Sequence, residues 1–272
     1  MKIIREPAVA GMFYAASPSK LISDIQFLLN QVELTESFEN VIGIISPHAG
    51  YVYSGRTAAH AYKALSGKNF KRVIVISPSH REYFTGISIY AGDAYKTPLG
   101  EVDVDKEFSS KLVADEKFIF LGNNGHRSEH ALEVQIPFLQ MVLKNFLIVP
   151  IVVGDQRKTF VDRLAEKLSA IIDDQTIIVS SSDLSHFHSK EKANKLDSIV
   201  EEKIKSLDAN GLVDALEKNI CEACGGGPIA VLIKTALQRK YDKVKILSRS
   251  DSGDVSGDYS EVVGYLSAVI YK

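Results

Sequence analysis

The sequence predicts an α/β fold: a mostly parallel sheet with helices packed on both faces. Two observations carry this. Short uninterrupted runs rich in isoleucine and valine, at residues 41–46, 73–77 and 177–181, have the pattern of strands buried on both sides. Helical patterns alternate with such runs from start to finish, as repeated βα units require. A third observation bears on function. The three runs end in serine-rich turns that lead into Pro47-His48, into Pro78-Ser79-His80, and into Asp183 and His186. In open α/β sheets ligands collect where loops leave the carboxyl ends of strands, so these side chains are expected to converge on one crevice. Histidine there points to a metal site or acid–base chemistry rather than a phosphate cradle.

Ser17-Pro18 starts the first helix with a capping serine and a proline at the first helical position, and Leu21, Ile25, Leu28 and Leu29 form its apolar stripe. The strand at 41–46 follows, then the turn through His48, a helix over about 55–65, and the strand at 73–77. Residues 86–90 and 100–104, separated by Gly92 and Pro98, read as an antiparallel strand pair beside the main sheet. A short helix is expected over 106–114. A longer one is expected over 129–143, kinked or bounded by Pro137. A buried strand at 147–153, an amphipathic helix at 159–172 and the strand at 176–181 come next. Two charged helices, about 190–207 and 212–218, precede Cys224-Gly225-Gly226-Gly227-Pro228 and a helix over 229–239. Strands at 245–248 and 262–271 close the sheet.

The chain has 272 residues, of which 45% are hydrophobic and 24% charged, enough to bury a full core in an ordinary globular protein. No Pro/Gly/Ser-rich linker divides it, so one domain spanning 1–272 is expected. A formal net charge of −2 gives no electrostatic reason for a nucleic-acid or anionic-membrane partner. Charge interrupts the first residues before an apolar signal core can form, and no apolar run approaches the roughly 20 residues of a spanning helix. The expected location is cytoplasmic. Cys221 and Cys224 are the only cysteines, so no disulfide framework is expected.

Taken singly, each candidate has a plain structural reading. His48 can be a strand exit with a satisfied imidazole, and so can His80; together, at neighbouring strand ends, they are within reach of one ion. Asp183 and His186 would share a face if a helical turn began there, which suits a carboxylate orienting an acid–base histidine, although a helix cap by Ser182 or Asp183 explains the same residues. Of His126 and His130, which flank Ser128-Glu129, His130 is the better candidate to enter the crevice; Glu129 and Glu133 read as first-turn acids that complement a helix dipole. His188 is expected at the surface and His60 as a packing or surface residue. Cys221-Glu222-Ala223-Cys224 lacks the strand-to-helix setting of a redox dithiol and the second ligand pair of a structural zinc site. Cys224 alone stands out. The glycines after it permit close backbone approach and open a helix whose positive end would favour a thiolate, although a buried inert cysteine fits the same residues.

The segments Pro47-His48-Ala49-Gly50-Tyr51-Val52-Tyr53-Ser54-Gly55, Ser77-Pro78-Ser79-His80, His130-Ala131-Leu132-Glu133-Val134-Gln135-Ile136-Pro137-Phe138-Leu139, Ser181-Ser182-Asp183-Leu184-Ser185-His186-Phe187 and Cys224-Gly225-Gly226-Gly227-Pro228 together resemble the Memo family. Stretches from Glu6 to Tyr14 and from Gly257 to Tyr265 extend the resemblance in the expected order. It implies a single three-layer α/β/α domain similar to the class III extradiol dioxygenases, which open catechol rings with a non-haem Fe(II). In that comparison His48 and His80 fall where those enzymes keep two metal histidines, and His186 where they keep the acid–base histidine. Cys224 takes the position of their third ligand, a carboxylate. A His₂Cys set is softer than two histidines and a carboxylate, so Fe(II) or copper is the favoured ion and zinc is also accommodated. The expected roles are then metal ligation by His48, His80 and Cys224 and proton transfer by His186 oriented by Asp183. His130 is expected to hydrogen-bond substrate or bound oxygen. Tyr14, Tyr53 and Phe187 are expected as apolar walls for a small aromatic molecule. Family precedent also includes a binding role in receptor signalling with phosphotyrosine peptides, so the other expectation is a crevice that takes a peptide or phosphorylated ligand without turnover. A third is a zinc hydrolase.

Overall fold

The computed structural model describes residues 2–272. Its first half contains β1 (Ile4–Arg5), α1 (Pro18–Asn30), β2 (Gly43–Ser46), α2 (Tyr51–Lys63), β3 (Arg72–Pro78), β4 (Ile87–Tyr90), β5 (Ala94–Thr97), β6 (Gly100–Asp103), α3 (Lys106–Val113), β7 (Ile119–Gly122) and α4 (Gln135–Val142). The second half contains β8 (Leu147–Val153), α5 (Lys158–Ile171), β9 (Thr176–Ser181), β10 (His186–His188), α6 (Lys190–Lys205), α7 (Ala209–Glu217), α8 (Gly226–Gln238), β11 (Lys243–Asp251), α9 (Gly253–Ser256) and β12 (Val262–Tyr271).

Strands β2, β9, β3 and β8 lie side by side and parallel, and they are the isoleucine- and valine-rich runs. The sheet becomes mixed outside them. On one side β12 runs antiparallel to β2 and carries β11 and β10; on the other β4 runs antiparallel to β8 and pairs in parallel with β7. Helices α1, α2 and α4 pack on one face, and α3, α5, α6, α7 and α8 on the other, giving three layers with an apolar core on each side of the sheet. Helix α8 is sandwiched between the sheet and helices α5 and α7, which explains why Ile229 to Ile233 are all fully buried and why its sequence is apolar all round. Among the described residues no helix is long and apolar enough to cross a membrane.

Several expectations are corrected. Residues 87–90 do not pair with 100–103; β4 belongs to the main sheet, and β6 forms a hairpin with β5 in a small second sheet completed by β1. Burial tells the two apart, since β4 is buried at every position while β6 buries only Val102. Helix α4 begins at Gln135 rather than Glu129, which puts Pro137 in the first turn, where a missing N–H costs nothing. Helix α2 begins at Tyr51, immediately after the His48 turn, with Gly50 as its N-cap. Asp183 and His186 share no helical turn: the segment is extended, with Leu184 N–H donating to the Gly264 carbonyl and His186 paired to Val263 in β10. Strands β1, β5, β7 and β10 are too short, at two to four residues each, to stand out as apolar runs in the sequence.

Candidate metal centre

Because β2, β9 and β3 are adjacent and parallel, their carboxyl ends open onto one place. His48 follows β2, His80 follows β3, and Asp183 follows β9. The N-terminus of α8 comes against the same edge and brings Cys224. A methyl group at Gly225 would collide with the Ser181 carbonyl oxygen, so glycine is what lets this turn approach β9 closely enough. Gln156 then fixes the turn: its Nε2 donates to the Cys224 carbonyl at 2.8 Å and its Oε1 accepts from Gly227 N–H at 2.7 Å.

One donor atom from each of His48, His80 and Cys224 lies within 4.8 Å of the others. His48 is 1% exposed; its Nε2 is 3.1 Å from Cys224 Sγ and its Nδ1 is 2.9 Å from Ser181 Oγ. Burial, reinforced by the neighbouring imidazoles of His80 and His130, holds His48 far below the usual histidine range, so it is neutral and keeps a lone pair. His80 sits nearer the mouth, its backbone N–H and Nδ1 both directed at the Glu129 carboxylate, at 2.5 and 2.9 Å. Burial alone would raise the Glu129 carboxyl, but the imidazoles of His130 and His80 hold it well below the usual range. Cys224 departs from expectation. Burial, with the Asp183 carboxylate beside it, pushes the thiol up despite the nearby helix terminus, so without an ion it carries its proton.

His80, Glu129 and His130 form a second group of donors within 4.8 Å of one another. The Glu129 carboxylate there is already engaged by four donors, since it also accepts the backbone N–H groups of His130 and Ala131 at 3.0 and 2.9 Å. It is therefore a support for His80, not the first-turn dipole acid expected of it. His130 Nδ1 lies 3.2 Å from Glu129 Oε1 but outside hydrogen-bonding directions, which leaves a buried nitrogen without a partner beside the cluster. The His130 ring packs on Phe13 and against both His48 and His80.

Asp183 does not hydrogen-bond His186; its Oδ1 accepts the backbone N–H of His48 at 2.7 Å, so it anchors the ligand-bearing turn. His186 and Cys224 line one cavity of about 510 Å³ whose apolar wall is Leu184, Val213, Leu216 and Ala223. None of Tyr14, Tyr53 and Phe187, expected as aromatic walls, lines that cavity. Tyr14 is buried with its hydroxyl 2.5 Å from Glu133, and Tyr53 borders a separate cavity with Arg56 and His60. Phe187 is 69% exposed, because it occupies the left-handed region (φ 58°) at a break in the β10–β12 register that turns it out to solvent. His188 pairs with Glu222 at 3.0 Å, and Cys221 is buried and free. Glu129 and Glu133 have partners in place of the helix-dipole role expected of them, and Ser181 and Gln135, to which the sequence pattern assigns no role, stand behind His48. The available signal was polarity out of place, a glutamine opening an apolar helix and a serine ending a wholly buried strand.

His126 is a core residue, its Nδ1 2.7 Å from the Tyr95 hydroxyl and its Nε2 3.2 Å from the Ser88 carbonyl. Burial pushes its pKa down to about 3, whereas in the unfolded chain it titrates near 6.5. Protons therefore bind the unfolded chain first. The stability contributed is complete above about pH 6.5 and drains as pH falls toward 3, at about 1.4 kcal/mol per unit. Urea unfolding at pH 5 should show a loss of about 2 kcal/mol from this group relative to pH 7.5, with His48 adding to it in the same direction. The slope should be shallower in His126→Gln.

Fold and donor cluster together define an α/β protein with a candidate metal centre at the carboxyl ends of its parallel strands. Residues 5–269 match the family model described as Memo-like protein, and the chain belongs to the Memo family. A MEMO1 family protein of Thermoplasma volcanium is 38% identical over 268 residues, covering 98% of each chain. Another, from Methanobrevibacter smithii, is 36% identical over 280 residues, covering 98% of this chain and 99% of the relative. A third, from Methanocaldococcus jannaschii, is 35% identical over 291 residues, covering 99% and 100%. Among solved structures, an uncharacterized protein of Escherichia coli K12 superposes with a TM-score of 0.57 at 13% identity, covering 85% of this chain and 99% of that one. That likeness is one of fold.

Proposed function

We propose that this protein is a metal-dependent oxidoreductase, similar in plan to the class III extradiol dioxygenases, that acts on a small and partly apolar molecule. The observation that carries this reading is the convergence of the His48, His80 and Cys224 donors within 4.8 Å, from two strand ends and a glycine turn. The donor set fits a transition-metal ion: two imidazoles suit iron, copper and zinc, and the sulfur adds a soft ligand. Iron or copper, when bound, would supply one-electron chemistry and an open coordination position; zinc would supply only the latter.

The chain's own residues supply the rest. Asp183 and Glu129 hold the backbone of His48 and of His80, so the two imidazoles do not drift apart. The cavity reaching Cys224 and His186 is of a size that suits a small organic molecule, and its walls of Leu184, Val213 and Leu216 exclude water from an apolar body. His186, at the rim of that cavity, is the group available to move a proton. A second reading, a non-catalytic module for a peptide or phosphorylated ligand, draws support from exposed apolar side chains on the same segments: Met12, Val52, Tyr83 and Phe187.

Oxidation of the two cysteines separates the readings. A sulfur at a redox-active centre should be consumed when oxygen reacts there without substrate, whereas buried Cys221 should be spared. Iron- or copper-loaded protein exposed to air is expected to accumulate sulfenate or sulfinate at Cys224 alone, read by peptide mass spectrometry. Equal oxidation of both cysteines, or of neither with metal bound, would favour the binding module.

A further inference from the structure

Behind His48 lies a chain of buried polar groups with no evident packing purpose. Gln135 Nε2 is 3.0 Å from the Pro47 carbonyl and 2.7 Å from Ser181 Oγ, and its Oε1 is 2.5 Å from the Tyr62 hydroxyl. Ser181 Oγ is also 2.7 Å from the Ala131 carbonyl and 2.9 Å from His48 Nδ1. All of these side chains are at most 1% exposed, so every hydrogen must be accounted for within the chain.

Two backbone carbonyls decide where the hydrogens go, because a carbonyl can only accept. The Pro47 carbonyl requires the amide nitrogen of Gln135 on its side, which leaves Oε1 to accept from Tyr62. The second amide hydrogen of Gln135 then goes to Ser181 Oγ. Ser181 has one hydrogen, and the Ala131 carbonyl takes it. Its remaining lone pair faces His48 Nδ1, which must be a donor. The reverse assignment, with Ser181 donating to His48, would strand the Ala131 carbonyl, at a cost of about 1–3 kcal/mol for an unpaired buried polar group.

We infer that Ser181 and Gln135 are positioning residues that lock the His48 imidazole in its Nδ1–H tautomer. The consequence is at the other nitrogen. Nε2 carries the lone pair and presents it to Cys224 Sγ, whose thiol proton it accepts at 3.1 Å when no ion is bound. In the opposite tautomer Nε2 would present a proton to the same place and could not ligate. For its functional meaning the inference rests on the proposed metal site; the tautomer itself does not.

The test separates the two. Two-bond ¹H–¹⁵N correlation spectra of metal-free, reduced protein labelled at histidine report the tautomer of His48 directly. The expected result is a protonated Nδ1 and an unprotonated Nε2. In Ser181→Ala this preference should be lost and Co(II) affinity should fall about 10–100-fold, as for other partners that orient a ligating histidine. Ser181→Thr, which keeps the hydroxyl, should restore both. A His48 protonated at Nε2 in the wild-type protein, or a tautomer unchanged in Ser181→Ala, overturns the inference; the wild-type spectrum decides even if the alanine variant fails to fold. A protonated Nδ1 that responds to Ser181→Ala, in a protein that binds no Co(II), sustains the inference and removes the metal reading instead.

Discussion

Glu133→Ala should destabilise the protein by about 3–5 kcal/mol, the cost of breaking a buried ion pair from one side. Glu133 is fully buried and accepts from four donors: Arg5 Nη1, the backbone N–H groups of Ala8 and Val9 at 2.8 and 3.1 Å, and the Tyr14 hydroxyl. Alanine leaves the Arg5 guanidinium without its counter-charge, and leaves two backbone donors and the Tyr14 hydroxyl without their acceptor, in the core. Arg5 also donates to the carbonyls of His126 and Glu129, so its disturbance reaches the carboxylate that holds His80. Glu133→Gln should cost less, because it retains acceptors for Tyr14 and one backbone N–H. Removing both charges, as in Arg5→Met with Glu133→Leu, should recover only the part of the loss that comes from the uncompensated guanidinium, because the Ala8 and Val9 N–H groups still lack an acceptor. Denaturant unfolding of the four proteins measures this. A loss below about 1 kcal/mol in Glu133→Ala would mean that the N-terminal segment opens to water without disturbing the core.

The same residues show what was legible in the sequence. Runs of isoleucine and valine announce buried parallel strands by composition alone, and that pattern is enough to name the residues that leave their ends. Which strands are neighbours is not legible in this way: in the order β2-β9-β3-β8 strand β9 lies between β2 and β3, so His48 and His80 do not leave neighbouring strands as expected but flank the one that carries Asp183. Cys224 was legible as special because three glycines follow it, and the collision at Gly225 gives the reason for one of them. Glu129 and Glu133 were misread because a local rule, acids in a first helical turn, explains them without any partner. Their partners, His80 and Arg5, are about 50 and 130 residues away and invisible to a local pattern. The predicted helix over 129–143 starts six residues later, at Gln135, for a related reason. Glu129 Oε1 ties the N–H groups of His130 and Ala131 into a turn, and a helix can begin only once that is finished.

Alanine at His48, His80 or Cys224 should each lower affinity for Fe(II), Co(II) or Zn(II) by more than about 100-fold, beyond the 10–100-fold expected for residues that only orient a ligand. The argument is one of donor number. Three atoms within 4.8 Å can share one ion; two leave it with water in most positions. Glu129→Gln should fall in the lesser range, because it removes the charge behind His80 Nδ1 while leaving the imidazole in place. Calorimetric titration under anaerobic, reducing conditions gives all four affinities, and unfolding midpoints check that the variants remain folded. Cys224→Glu is the informative exception. It exchanges the soft ligand for a carboxylate and restores the two-histidine, one-carboxylate set, so total affinity should survive while preference moves from copper and zinc toward Fe(II). If the three alanine variants bind as tightly as the parent, the ion is elsewhere and the convergence of these side chains needs another explanation. If only Cys224→Ala is silent, the two histidines hold the ion without the sulfur, and the softness argument for redox chemistry falls with it.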